Sequence, residues 1–151
     1  MNEFALGGGY QISVSCDIRI CSNNSIFRKP EVGLGIIPGF DGTQRLPRLI
    51  GASKAKKIIF TGKNIKAEES LRIGLVNAIY PQKELISHSK KLTKDISKNS
   101  MNDIKNSKKS INEGLQVDID EGIQIEEKYF NDCLKYLSKI RNGKFPKKRN
   151  F

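Results

Sequence analysis

The sequence predicts an α/β chain that turns wholly helical in its second part, on three observations. Short β-branched runs, QISVSCDIRI at residues 11–20 and LVNAIY at 75–80, alternate with segments whose apolar residues recur every three to four positions. Glycine and proline cluster in residues 1–81 and punctuate those runs. Residues 82–151 are lysine-rich and helical in pattern. The composition shift divides the chain into residues 1–81, compact and apolar, and residues 82–151, amphipathic.

Taken in order, the chain opens on MNEFALGGGYQ, in which Gly7, Gly8 and Gly9 form a turn. Without a Cβ, such a turn adopts positive φ at little cost and lets a ligand approach the backbone N–H groups. It reads either as a tight turn or as a cradle for a developing oxyanion. Residues 11–20 read as a strand on propensity; a helix packed through Ile12, Ser15 and Cys16 is the alternative, and its first N–H groups would face an anion. Residues 25–27 form a short apolar run before Pro30. Residues 32–37 alternate with glycine as loop and short strand, ended by Pro38 and Gly39. Residues 43–50 and 52–61 read as two helices broken at Gly51, and 67–73 as a short helix ending at Gly74. Residues 75–80 read as a strand stopped by Pro81. Residues 83–99, 102–113 and 118–137 then read as helices.

Twenty-seven lysines and arginines against 16 acidic residues give a formal net charge of +11. A field of that sign attracts polyanions, but no basic stripe interleaved with aromatics is present, so a lysine-rich solvated surface is the reading and no nucleic-acid partner is expected. Cys16, Cys21 and Cys133 form no CxxC pair and His88 is the one histidine, so no metal site is expected. An odd number of cysteines without a signal sequence fits reduced thiols and a cytoplasmic location. No run of about eighteen apolar residues predicts a membrane span. His88 is expected to be exposed on a polar helix.

FALGGGY, CDIRI, FRKPEVGLGIIPGFDGTQRLPRLIG, KKIIFTG, AEESLRIGLVNAI and the closing FPKKRNF, in that order, resemble the enoyl-CoA hydratase/isomerase (crotonase) superfamily, and in particular its bacterial short-chain hydratases. The resemblance implies a crotonase fold, a spiral of ββα units followed by a helical part that trimerises. It covers the second half of such a protein. It therefore implies that residues 1–81 hold the later part of the crotonase core and 82–151 the trimerisation and CoA-binding part, in a chain truncated to the C-terminal half. It also replaces the strand at residues 11–20 by a helix, whose positive end would face the thioester oxygen.

The same resemblance implies the site. Gly8, the middle glycine, matches the residue that contributes one of two oxyanion amides; Glu31 matches the carboxylate that acts as acid or base at the substrate α-carbon. Gln11 stands where hydratases of the family carry a second glutamate. A glutamine orients a water but cannot take its proton, which keeps open an isomerase working with one carboxylate. Phe145 and Lys148 match residues that hold the adenine and 3′-phosphate of CoA. Asp41 stands where a small residue is usual; Asp17, Arg19, Gln44 and Arg45 are expected in structural hydrogen bonds and ion pairs. The implied activity is that of an enoyl-CoA hydratase, with no cofactor beyond the CoA on the substrate, incomplete as a lone chain. The implied partners are an acyl-CoA thioester and either a homo-oligomer, trimer or hexamer, or a complementing N-terminal half. A non-catalytic fragment that associates with intact homologues is the remaining alternative.

Overall fold

A computed structural model describes residues 1–40 and 42–141. The chain divides into two compact units, Met1–Leu92 and a second beginning at Thr93.

The first unit is built on short strands and the helices that follow them. Strand β1 (Phe4–Leu6) leads directly into helix α1 (Gly7–Ser15), and β2 (Ile20–Ser22) is followed by β3 (Ile26–Arg28). A 3-10 turn at Glu31–Leu34 precedes α2 (Gly42–Ile50) and α3 (Ala52–Thr61); then come β4 (Ile65–Lys66), α4 (Ala67–Arg72) and β5 (Ala78–Tyr80). β3 lies between β1 and β4, parallel to β1 with Ala5 opposite Phe27, and antiparallel to β4. β2 and β5 pair in parallel, with Cys21 opposite Ile79.

The parallel register of β1 and β3 matters most. Parallel strands end at the same edge, so the chain leaving Leu6 into α1 and the chain leaving Arg28 toward Glu31 emerge side by side. The carboxyl ends of parallel strands are where α/β folds place their ligand sites.

The core beneath that edge is apolar and continuous. Tyr10, Phe27, Leu46, Ala67 and Leu75 are fully buried in it, with Ile50, Ala55 and Ile65. Tyr10 and Val14, four residues apart, put one face of α1 into this core. The Tyr10 and Phe27 rings meet edge to face, 6.1 Å apart. At Gly51 the backbone takes φ +87°, which breaks α2 from α3 as the sequence predicts.

Several sequence expectations are corrected here. Residues 11–20 are not a strand: α1 runs through Ser15 as the resemblance implies, because burial of Tyr10 and Val14 outweighs local β-propensity. Residues 32–37 hold a 3-10 turn instead of a short strand, closed by Gly35 at φ +77°. Only Ala78–Tyr80 of the run 75–80 is strand; Leu75 and Val76 fold back on α4 through bonds from their N–H groups to the Ser70 carbonyl, 2.8 and 3.3 Å. His88 is half-buried, its ring stacked on Tyr80 at 3.8 Å, since α5 (Leu85–Ser97) starts soon after Pro81. Arg19 is structural as expected: buried, it donates from Nε to the Leu75 carbonyl at 2.7 Å and from a terminal nitrogen to the Cys16 carbonyl at 2.5 Å.

The second unit is a helical hairpin of α6 (Met101–Gly114) and α7 (Ile119–Arg141). Ser100 caps α6 by accepting from the Asp103 N–H. Near the turn Gly114 and Gly122 let the backbones close in; a Cβ on Gly114 would meet the Gly122 Cα at 3.7 Å. Tyr129 donates to Glu113 at 2.7 Å, and Asn106 to the Cys133 sulfur at 3.3 Å. The hairpin leaves Ile111, Leu115, Ile119, Ile123, Phe130 and Leu134 exposed. Among the described residues no helix is long and apolar enough to cross a membrane, and no group of three or more His, Cys, Asp or Glu is placed to hold a metal ion.

Candidate functional site

The edge shared by β1 and β3 carries the candidate site. On one side α1 begins at Gly7, where φ is +47°, and Leu6 before it is extended. The first four N–H groups of a helix have no intrahelical acceptor, so those of Gly7, Gly8, Gly9 and Tyr10 stand at the positive end of α1. No acidic side chain lies in that first turn to neutralise it. Gly8 and Gly9 are exposed, with no atom within 4 Å of where a Cβ would sit.

On the other side, β3 delivers Lys29, Pro30 and Glu31. The alternation of β3 continues one residue past its end: Phe27 inward, Arg28 outward, Lys29 inward. Pro30 then caps the 3-10 turn whose first residue is Glu31. The two sides meet where Gln11 of α1 donates from Nε2 to Oε1 of Glu31 at 3.0 Å, and that oxygen lies 3.9 Å from where a Cβ on Gly7 would sit.

Glu31 is buried at 8% exposure, and its two oxygens differ. Oε1 accepts from Gln11 Nε2 at 3.0 Å and from Lys29 Nζ at 3.2 Å. Oε2 is buried with no hydrogen-bond partner, as are Oε1 of Gln11 and the hydroxyl of Tyr10. Leaving a buried polar atom open costs about 1–3 kcal/mol, so three of them on Tyr10, Gln11 and Glu31 mark a place where polar groups await a partner. Burial holds the Tyr10 hydroxyl well above the usual range, so it is a neutral donor. Burial also pushes the Lys29 ammonium down, opposed by its bond to Glu31. A recess lined by Tyr10, Gln11, Phe40, Gly42, Arg45 and Leu46 adjoins the cluster.

The structure thus brings Gly8, Gln11 and Glu31 to one edge. Phe145 and Lys148 lie outside the described residues, as does Asp41. The sequence reading missed Lys29, Tyr10 and Gly42. Extending the in–out alternation of IFR by one residue would have found Lys29; Tyr10 stands four residues before Val14 on the buried face of α1.

The sequence profile described as enoyl-CoA hydratase/isomerase matches residues 1–149. A short-chain-enoyl-CoA hydratase of Clostridium acetobutylicum is 53% identical over 133 residues, 88% of this chain and 51% of that protein. A crotonyl-CoA hydratase of Syntrophomonas wolfei is 47% identical with the same coverage, and a short-chain-enoyl-CoA hydratase of Clostridioides difficile is 50% identical over 88% of this chain and 85% of its own length. The chain therefore spans about half the length of the first two. Among solved structures, the enoyl-CoA hydratase of Bacillus anthracis superposes with a TM-score of 0.84 at 36% identity, covering 95% of this chain and 58% of that one. A Thermobifida fusca protein of the same type, solved in complex with CoA, gives 0.87 at 26% identity over 91% of this chain and 53% of that one.

Proposed function

The chain belongs to the enoyl-CoA hydratase/isomerase family, and from that premise we propose that it carries the acid–base carboxylate and one oxyanion amide of a hydratase acting on 2-enoyl-CoA thioesters. The observation that carries the reading is the meeting of the positive end of α1 with the buried Glu31, 3.9 Å from the Cβ position of Gly7. Residues 1–81 supply this chemistry. Residues 82–151 supply the oligomer contact, and Phe145 and Lys148 the CoA contact that their motif implies.

In hydration, the oxygen of water bonds to C3 while the C2=C3 electron pair moves onto the thioester oxygen. The Gly8 N–H, at the end of α1, stabilises that enolate charge; one such donor is worth about 2.7–4 kcal/mol. Glu31 takes the proton that water loses and returns one to C2, so that H and OH are added overall. Gln11 orients the water without taking its proton. The substrate brings its own CoA, and no further cofactor enters. The second oxyanion amide comes from a complementing N-terminal half.

The test is to co-express the chain with the N-terminal half of the Clostridium acetobutylicum relative and assay crotonyl-CoA hydration by the purified complex. Hydration that falls at least about a hundredfold in Glu31→Gln is expected; a folded complex no faster than that variant overturns the reading and leaves a non-catalytic fragment. Gln11 favours one second reading, a double-bond isomerase using Glu31 alone. Turnover of a 3-enoyl-CoA without hydration of the 2-enoyl-CoA would select it.

A further inference from the structure

Lys29 is fully buried, yet its ammonium has been placed among groups that make sense of it only together. Nζ is 3.2 Å from Oε1 of Glu31 and 5.2 Å from the centre of the Tyr10 ring. It fills the space where Gly42 lacks a side chain, 2.8 Å from the Cβ that any other residue would bring. Gln11 donates to the same Oε1 at 3.0 Å. A buried ammonium is costly unless paired, and breaking one side of such a pair leaves the other charge exposed to the same penalty.

We propose that Lys29, acting with Gln11, is a positioning residue for Glu31: the two donors pin Oε1, which leaves Oε2 as the one oxygen that carries protons. This rests on the reading of Glu31 as the acid–base group. Two donors on Oε1 fix the carboxylate plane, and the charged donor makes the stronger of the two bonds. Oε2, buried and without a partner, is the acceptor left for a reacting proton. The site then works with a single carboxylate whose two oxygens have different tasks. A merely structural ion pair would add stability without setting the rate at which Glu31 transfers protons.

Lys29 at the end of β3 and Tyr10 on α1 are the titratable groups that act on Glu31, while Arg45 of α2 lines the adjoining recess with Gln11. The experiment follows the Glu31 carboxyl carbon of the chain itself by NMR, in the wild type, Lys29→Met and Lys29→Arg. The Glu31 carboxyl resonance is expected to move in Lys29→Met and to return most of the way in Lys29→Arg, which restores a charged donor; an unmoved resonance overturns the proposal. Should Lys29→Met not fold, the wild type decides: a slowly exchanging Lys29 ammonium correlated with the Glu31 carboxyl carbon supports the pin, and an ammonium exchanging as fast as the surface lysines overturns it. These readouts need no turnover, so they stand or fall apart from the hydratase reading. In an active complemented complex, Lys29→Met should lower kcat about tenfold with KM within about twofold, and the reverse split overturns the positioning role.

Discussion

Gly42 and Lys29 share one volume: a Cβ on Gly42 would lie 2.8 Å from the Lys29 ammonium, 2.8 Å from Pro38 Cβ and 3.2 Å from Gln11 Nε2. The glycine is what lets a lysine end inside the first unit. Gly42→Ala is therefore expected to destabilise the chain by about 1–3 kcal/mol, the range of an overpacked interior. Gly39→Ala, where nothing lies within 4 Å, serves as the control and should stay within about 0.5 kcal/mol. Urea midpoints of the two variants check this, and equal midpoints contradict it.

Burial of Lys29 also makes a pH dependence. Its folded-state pKa lies below the ordinary 10.5, burial being the larger cause and Glu31 the opposing one. Between the lowered value and 10.5 the unfolded chain binds more protons than the folded one at this residue, so this contribution to stability rises with pH. Cys21 and Tyr10 act in the opposite sense, because burial raises both above their ordinary 9.0 and 10.0 and their contributions fall as pH climbs past those values. Cys21 and Tyr10 are common to the wild type and Lys29→Met, so the difference between the two proteins' denaturation curves, measured from about pH 7 up to 10.5, isolates Lys29. The wild type should gain stability over that interval relative to Lys29→Met; parallel curves would refute the assignment.

What the sequence made legible was the order of elements and the two functional segments. Glycine and proline mark the turns, and a family pattern spread over the whole chain survives local ambiguity. The strand reading of residues 11–20 failed because Ile12, Val14 and Ile18 carry β-propensity while the fold uses a different period, burying Tyr10 and Val14 and exposing Ile12. The Lys29–Gln11–Glu31 cluster was illegible for a related reason. A lysine is read as solvent-facing, and only the parallel register of β1 and β3 brings Gln11, 20 residues from Glu31, to its carboxylate.

Arg19 holds the chain after α1 to the segment before β5. Its Nε and a terminal nitrogen donate to the Leu75 and Cys16 carbonyls, and its own N–H donates to the Asn77 side chain at 2.7 Å. Arg19→Met keeps an unbranched apolar stem but leaves two carbonyls without their donors. A loss of about 2–3 kcal/mol is expected, read from thermal or urea unfolding. A loss below about 0.5 kcal/mol, the range of ordinary surface changes, would mean that solvent replaces both bonds.

Restoring a carboxylate at residue 11 tests the chemistry from the opposite direction. Gln11→Glu places a second acid group where Nε2 now sits 3.0 Å from Oε1 of Glu31. Two carboxylates that close cannot both ionise readily, so the pair would hold one proton, with one member as base toward water and the other as acid toward C2. Lys29, also on Oε1, offsets part of the added charge. In the complemented complex the variant should hydrate crotonyl-CoA about a hundredfold faster than the wild type, the lower end of what a positioned acid–base group contributes. Its rate should show a bell-shaped pH dependence that the wild type lacks. A Gln11→Glu complex that binds substrate as the wild type does but gains no rate would show that Gln11 is not at the water-activating position.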